Sequence, residues 1–157
     1  MKTDFTLRLA TQGDMWDIYE LANSPEVRSV SIHSTPISRA EHEKWYLAKL
    51  ADKSCKLFVI SNQTKDFIGT VRFDLTDSKE FTITIYLVKE FRGKGLGTRI
   101  INQSSHILVK DFSDHKIKAE ILENNHGSLN SFLKAGYKQV STQSLAGKSF
   151  LILEYNP

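Results

Sequence analysis

Cysteine is almost missing from this chain: Cys55 stands alone. An internal disulfide is thereby excluded, a thiolate metal cluster cannot form, and no metal is expected. Long apolar runs are missing too. No stretch approaches the ~20 residues that span a bilayer. The start, MKTDFTLRLA, carries charge within its first four positions and has no apolar signal-peptide core. A cytoplasmic protein with no membrane partner is the expectation. Internal repeats, low-complexity tracts and linker-like runs are absent, so the 157 residues read as a single domain over 1–157. A dominant charge of one sign is also lacking, since the net charge is only +3.

What charge there is lies unevenly. Between Lys89 and Lys118, seven basic residues (Lys89, Arg92, Lys94, Arg99, Lys110, Lys116 and Lys118) face only Glu90, Asp111 and Asp114. Such an excess favours an anionic small-molecule ligand. Nucleic acid is not expected, because no aromatic–basic interleaving and no reading motif accompany the charge.

Periodicity orders the chain. Phe5 to Leu9 reads as a strand, and Asp14 to Ala22 as a helix capped from Thr11. NSPEVRSVSIHSTPIS reads as a long connection or broken helix. Ser38 then caps a helix to about Ala51, with Glu41 at the capping-box position. Lys56–Ile60, Phe67–Leu75 and Phe81–Val88 form a meander of three strands. A helix follows from Leu96 to Phe112, a strand over Lys116–Leu122, and a helix over Ser128–Ala135 stopped by Gly136. Tyr137–Val140 and Ser149–Tyr155 are closing strands around a polar loop. The fold class is α/β, a mixed and mostly antiparallel sheet of about seven strands with about four helices.

Between the third meander strand and the following helix lies FRGKGLGTR, with Gly93, Gly95 and Gly97 at alternate positions. The first N–H groups of a helix lack partners and carry the positive end of its dipole, so an anion binds there readily. Glycines let the backbone come close, and Arg92 and Lys94 add charge-assisted contacts. The spacing is neither that of a Walker A loop nor the G-x-G-x-x-G of a dinucleotide fold. It is R-x-x-G-x-G on Arg92, Gly95 and Gly97. This resembles the acetyl-CoA pyrophosphate loop of the GNAT superfamily of N-acetyltransferases. Downstream, NHGSLNSFLKAGY resembles the same superfamily's N-x-x-S-x-x-x-[YF]-x-x-x-G-[FY] signature on Asn125, Ser128, Phe132, Gly136 and Tyr137.

The resemblance implies a single-domain fold whose sheet splays between the fourth and fifth strands, with acetyl-CoA as co-substrate. Main-chain groups of Leu87 and Val88 would pair with the pantetheine arm. N–H groups of Arg92, Gly93, Lys94, Gly95, Leu96, Gly97 and Thr98 would hold the pyrophosphate. Asn125 would contact pantetheine amides, or act only as a helix cap. Many relatives have tyrosine where Phe132 stands, and phenylalanine cannot protonate the departing thiolate. Tyr86, Tyr137 or water is left for that role, and Phe132 is read as a core residue.

Glu120, in the middle of KIKAEIL, shares a strand face with Lys118 and Leu122. A carboxylate there is either a general base acting through water or half of a salt bridge. Thr70, Arg72 and Asp74, with Thr82, Thr84 and Tyr86, can share one polar face beneath the first two helices if the hairpin register has the right parity. The acceptor would then meet Arg28, His42, Arg72 and Thr84. NSPEVR and the EHEKW helix resemble acetyltransferases of UDP-linked 4-amino sugars, and at lower resolution the ribosomal-protein N-terminal acetyltransferases. The leading expectation is a small-molecule amine, an amino-sugar nucleotide foremost. A protein N-terminus or a degenerate CoA-binding module are the alternatives, and a homodimer is left open.

Overall fold

The computed structural model describes residues 4–157; the first three residues of the charged start lie outside it. Seven strands form one sheet: β1 (Phe5–Leu9), β2 (Cys55–Asn62), β3 (Phe67–Asp77), β4 (Glu80–Leu87), β5 (Lys116–Leu122), β6 (Tyr137–Leu145) and β7 (Lys148–Tyr155). Their order is β1-β2-β3-β4-β5-β7-β6, antiparallel throughout except between β4 and β5. Five α-helices cover it: α1 (Met15–Ala22), α2 (Pro25–Ser29), α3 (Arg39–Ala51), α4 (Leu96–Asp111) and α5 (His126–Lys134).

Alternation along the strands sorts the two faces. Val71, Phe73, Phe81, Ile83, Ile117, Ala119 and Ile121 are buried in a core with Ile100, Ile101 and Leu108 of α4 and Phe132 of α5. On the opposite face, Cys55, Leu57 and Val59 of β2 pack with Met15 and Ile18 of α1 and Tyr46 of α3. Tyr46 is fully buried and donates its hydroxyl to the Thr11 carbonyl at 2.6 Å, fastening α3 to the entry of α1.

Local chemistry explains the helix ends. At α3 the Ser38 hydroxyl accepts from the Glu41 N–H and the Glu41 carboxylate accepts from the Ser38 N–H, both at 3.2 Å, as the sequence predicts. Before α1 a 3-10 turn intervenes, and the Asp14 carboxylate accepts the Thr11 N–H at 2.8 Å. Arg8 of β1 also donates to both oxygens of Asp14, at 2.8 and 2.7 Å, a pairing that no helix periodicity signals. The broken segment after α1 does contain a short helix, α2, with Pro25 in its first turn, which makes five helices rather than about four.

Several strand ends move by one or two residues, and two other shifts have a local cause. Helix α5 begins earlier, at His126, because Asn125 is its cap and accepts the Ser128 N–H at 3.3 Å. Strand β6 runs on to Leu145 through the stretch expected as a polar loop. Ala146 and Gly147 both have positive φ, which makes a tight hairpin turn and lets exposed polar residues pair with β7.

Candidate active site

The parallel joint between β4 and β5 stops early. Glu80, Phe81 and Thr82 pair with Lys116, Ile117 and Lys118, and beyond them the strands part. A cleft of about 550 Å³ occupies this opening. Thr82, Ile83, Thr84, Ile85 and Tyr86 all line it, as do Ala119, Glu120, Ile121 and Leu122. Consecutive strand residues point to opposite faces, so the cleft passes through the sheet. It joins a region under α1 to α3 with a region beside Asn125, Ser128 and Phe132.

The parted edge of β4 can be read from one bond. The Val88 N–H donates to the Ile68 carbonyl on β3, at 2.9 Å. Peptide groups alternate in direction along a strand, so those of Ile85 and Leu87 point into the opening. The Val88 carbonyl is also engaged, by the Phe91 N–H at 2.9 Å. Both main-chain polar groups of Val88, expected at this edge, are thus engaged within the protein, whereas the peptide groups of Ile85, a position the sequence reading did not single out, and the N–H of Leu87 face the opening. Arg92 folds back to donate from Nε to the Leu87 carbonyl at 2.9 Å, holding the end of β4 to the loop.

The loop has the geometry its glycines require. Gly93 and Gly95 have φ of 73° and 74°, and open space lies where their Cβ atoms would be. Gly95 is the N-cap of α4, so the N–H groups of Leu96, Gly97 and Thr98 open this 16-residue helix without intrahelical acceptors. Gly97 differs: its φ is negative, and an added Cβ would meet Leu87 and Ser131 at 3.6 and 3.7 Å, ordinary contact. Lys94 is exposed. Open space, orphan N–H groups and basic side chains suit a pyrophosphate at this turn.

On the α1–α3 side the register has the required parity. Thr70, Arg72 and Asp74 face Tyr86, Thr84 and Thr82, so the two polar sets share one face. Asp74 accepts from Arg72 Nε at 2.6 Å and from Lys49 Nζ at 2.7 Å. Burial alone would raise the Asp74 pKa, but the charge of Arg72 and the bonds from Lys49 and Arg72 bring it below the ordinary carboxylate value. Arg72 also reaches Thr84 Oγ1 at 3.5 Å and lies 5.0 Å from the centroid of Trp45.

Other expected residues separate into two kinds. Arg28 lines the cleft but spends its donors on neutral oxygens: the carbonyls of Ala22, at the end of α1, and His33 at 2.8 and 2.9 Å, and Ser31 Oγ at 3.3 Å. His42 is 2% exposed, with Nε2 2.9 Å from the Met15 carbonyl and its ring stacked on Tyr46 at 5.7 Å. Burial lowers its pKa, and the neutral ring is a packing element as much as a wall of the cleft. Tyr137 cannot reach the opening. It is 2% exposed, its hydroxyl lies 2.7 Å from Ser105 Oγ, and burial raises its pKa. Phe132 is a core residue as expected, edge-on to Tyr137 at 4.9 Å.

Glu120 stands on the polar face at the parting. Its Oε1 lies 3.4 Å from Lys118 Nζ, and the same ammonium is 3.4 Å from Glu80. The salt bridge is thus formed, yet Glu120 still lines the cleft. Tyr86 lines it too, on the same face.

A mixed sheet parted at a parallel joint, with a glycine turn opening a helix beside the gap, is the arrangement of a coenzyme A-dependent acyltransferase. The chain belongs to the family described as Acetyltransferase (GNAT) domain, matched over residues 4–138. It is an acetyltransferase with acetyl-CoA as co-substrate. A spermidine N(1)-acetyltransferase of Vibrio cholerae is 26% identical over 141 residues, 87% of this chain and 80% of that protein. A Bacillus subtilis protein assigned to phosphinothricin acetylation is 24% identical over 140 residues, 85% and 84% of the two chains. The solved spermidine N-acetyltransferase from Vibrio cholerae, in complex with CoA and spermine, superposes with a TM-score of 0.86 at 21% identity, covering 96% of this chain and 94% of that one.

These relatives are not the sugar-nucleotide or ribosomal-protein groups that the N-terminal segment resembles. The structure supplies a reason. In EHEKWYLAKL, His42 and Tyr46 stack in the helical layer and Trp45 backs Arg72, so the pattern records how α3 packs on α1 and the sheet.

Proposed function

We propose that the protein transfers an acetyl group from acetyl-CoA to the primary amine of a small molecule by direct attack. The observation that carries this reading is the cleft through the sheet, which lets a thioester from the α4–α5 side meet an amine from the α1–α3 side. Acetyl-CoA supplies the acetyl group as a thioester, so an N–C bond forms, the C–S bond breaks and its electron pair leaves on sulfur. Peptide groups of Ile85 and Leu87, the turn from Arg92 to Thr98, and Asn125 hold the donor. Glu120, 3.4 Å from the Lys118 ammonium, accepts the proton of the attacking amine through a water. Tyr86, on the same face, returns a proton to the leaving thiolate. Arg28, His42, Arg72 and Thr84 wall the acceptor side. Use of acetyl-CoA fits the cytoplasmic location expected from the sequence.

Thiol release from acetyl-CoA tests this with small amines, UDP-amino sugars and peptides side by side. Small amines are expected to turn over. Turnover of peptides alone would replace the acceptor assignment, and tight CoA binding without turnover of any amine would leave a binding module. Glu120→Gln is expected to lower kcat by about 100-fold, most severely at low pH where free amine is scarce. Unchanged kinetics would remove Glu120 from the site.

A further inference from the structure

The charges that line and back the cleft are separated in space. On the β3 side, one carboxylate, Asp74, serves two cations, Arg72 and Lys49, so one positive charge is left over. Arg72 is clamped on one edge by Asp74 and on its face by Trp45, with the cleft on its remaining side. Arg28, on the loop wall, has only neutral oxygens as partners among the described residues. Glu41, nearby on the cleft wall, is tied to the start of α3 through Ser38. On the β5 side the balance reverses. One cation, Lys118, serves two carboxylates, Glu80 and Glu120, so one negative charge is left over at the parting.

The two ends lie level with each other. Arg72 pairs with Thr84, and Thr82 pairs with Lys118, which puts Glu120 two residues on at the level of Thr84. All five side chains share the polar face. Strands lie ~4.8 Å apart, so Arg72 and Glu120 stand roughly 10 Å apart or more across the widened gap. Of the charged residues that line the cleft, two are cations (Arg28 and Arg72) and two are carboxylates (Glu41 and Glu120), which gives a polycation no net attraction.

We propose that the acceptor is a zwitterion: a primary amine delivered to the parting beside Glu120, and an anionic oxygen group, several bonds away, seated on Arg72 in the field of Arg28. This rests on the reading of the cleft as the acceptor site of an acetyltransferase. An ω-amino acid is the simplest such molecule. Its amine and carboxylate match the two ends, whereas its amide loses the charge that Arg72 would hold and spermidine replaces it with a second cation.

The test combines calorimetric binding to the CoA-loaded protein with thiol release from acetyl-CoA, using 4-aminobutyrate, 4-aminobutanamide and spermidine. The acid is expected to bind roughly tenfold or more tighter than the amide, as befits a charge-assisted hydrogen bond. Arg72→Gln is expected to abolish that preference by raising KM for the acid alone, and Arg72→Lys to keep part of it. Both variants leave the Lys49–Asp74 bridge in place, and an unchanged melting curve checks folding. Equal binding of acid and amide, or tighter binding of spermidine, overturns the proposal even if spermidine is acetylated, an outcome that leaves the transferase reading intact. Selective binding of the acid without thiol release supports the charge assignment and overturns the transferase reading instead.

Discussion

Replacing Gly95 by alanine separates backbone conformation from contact in the glycine turn. Gly95 has φ of 74°, and nothing lies within 4 Å of the position its Cβ would take. No steric clash is introduced, so the whole cost is that of a left-handed backbone in an L-residue, ~1–2 kcal/mol. That cost can appear in two places. If the exposed turn relaxes to negative φ, the free protein escapes the strain, and the N–H groups at the start of α4 must be realigned when the donor binds. The Kd for CoA then rises by about 5- to 30-fold, at ~1.4 kcal/mol per decade. If the turn is held rigid, the strain appears instead as lost stability, with Tm lower by a few degrees. With no side chain packed against Gly95, relaxation is expected, so affinity takes the loss. Gly97→Ala is the control. Its φ is ordinary, its Cβ contacts are comfortable, and alanine favours a helix over glycine by up to ~1 kcal/mol. Calorimetric CoA titration and a melting curve on both variants decide the matter. Equal losses in the two, or a Gly95→Ala protein with both affinity and Tm unchanged, would refute the reasoning.

Two further outcomes are expected. Bonds from Arg8, outweighing burial, hold the Asp14 pKa below the ordinary carboxylate value, so their stabilisation is complete above about pH 4 and lost as pH falls through the lower folded value. Asp14→Asn should cost about 2 kcal/mol in urea unfolding at pH 7 and progressively less towards pH 2, and a difference constant with pH would contradict this. Cys55 is 8% exposed and burial pushes its thiol pKa up to about 12, so a disulfide reagent should label it only at the rate of opening. Complete labelling of the native protein within seconds would show that β2 is not covered by α3 as described.

The meander, the helices α3 and α4 and strand β5 were legible because each bears a strong local signal. Ser38 and Glu41 announce a cap, and KIKAEIL alternates against one core. The polar face was legible as well, since its parity needed only a hairpin register. Other features depend on distance in space rather than in sequence. The Arg8–Asp14 clamp, the sharing of Asp74 between Lys49 and Arg72, and the burial of the Tyr137 hydroxyl against Ser105 arise only when separate elements meet. Strand β6 was underestimated because STQS is exposed on both faces and therefore carries no alternation. In the site, glycine spacing identified the turn, but which peptide groups line the opening follows from the pairing of Val88 with Ile68, a fact of register. The EHEKW pattern pointed towards a particular acceptor while recording helix packing.

The passage through the sheet also divides the interior. One apolar cluster lies under α4 and α5 and a second under α1 and α3 on the other face of the sheet, and where β4 and β5 part the sheet between the two layers is open. At ~30 Å³ per molecule, a cleft of about 550 Å³ has the volume of about 18 waters. Whatever fills the passage joins the two clusters into one continuous interior, and a ligand at a hundred times its Kd contributes ~2.7 kcal/mol to the folded state. On the function proposed above, donor and acceptor would be structural members of the molecule for as long as they remain bound, and turnover would repeatedly complete and reopen its interior.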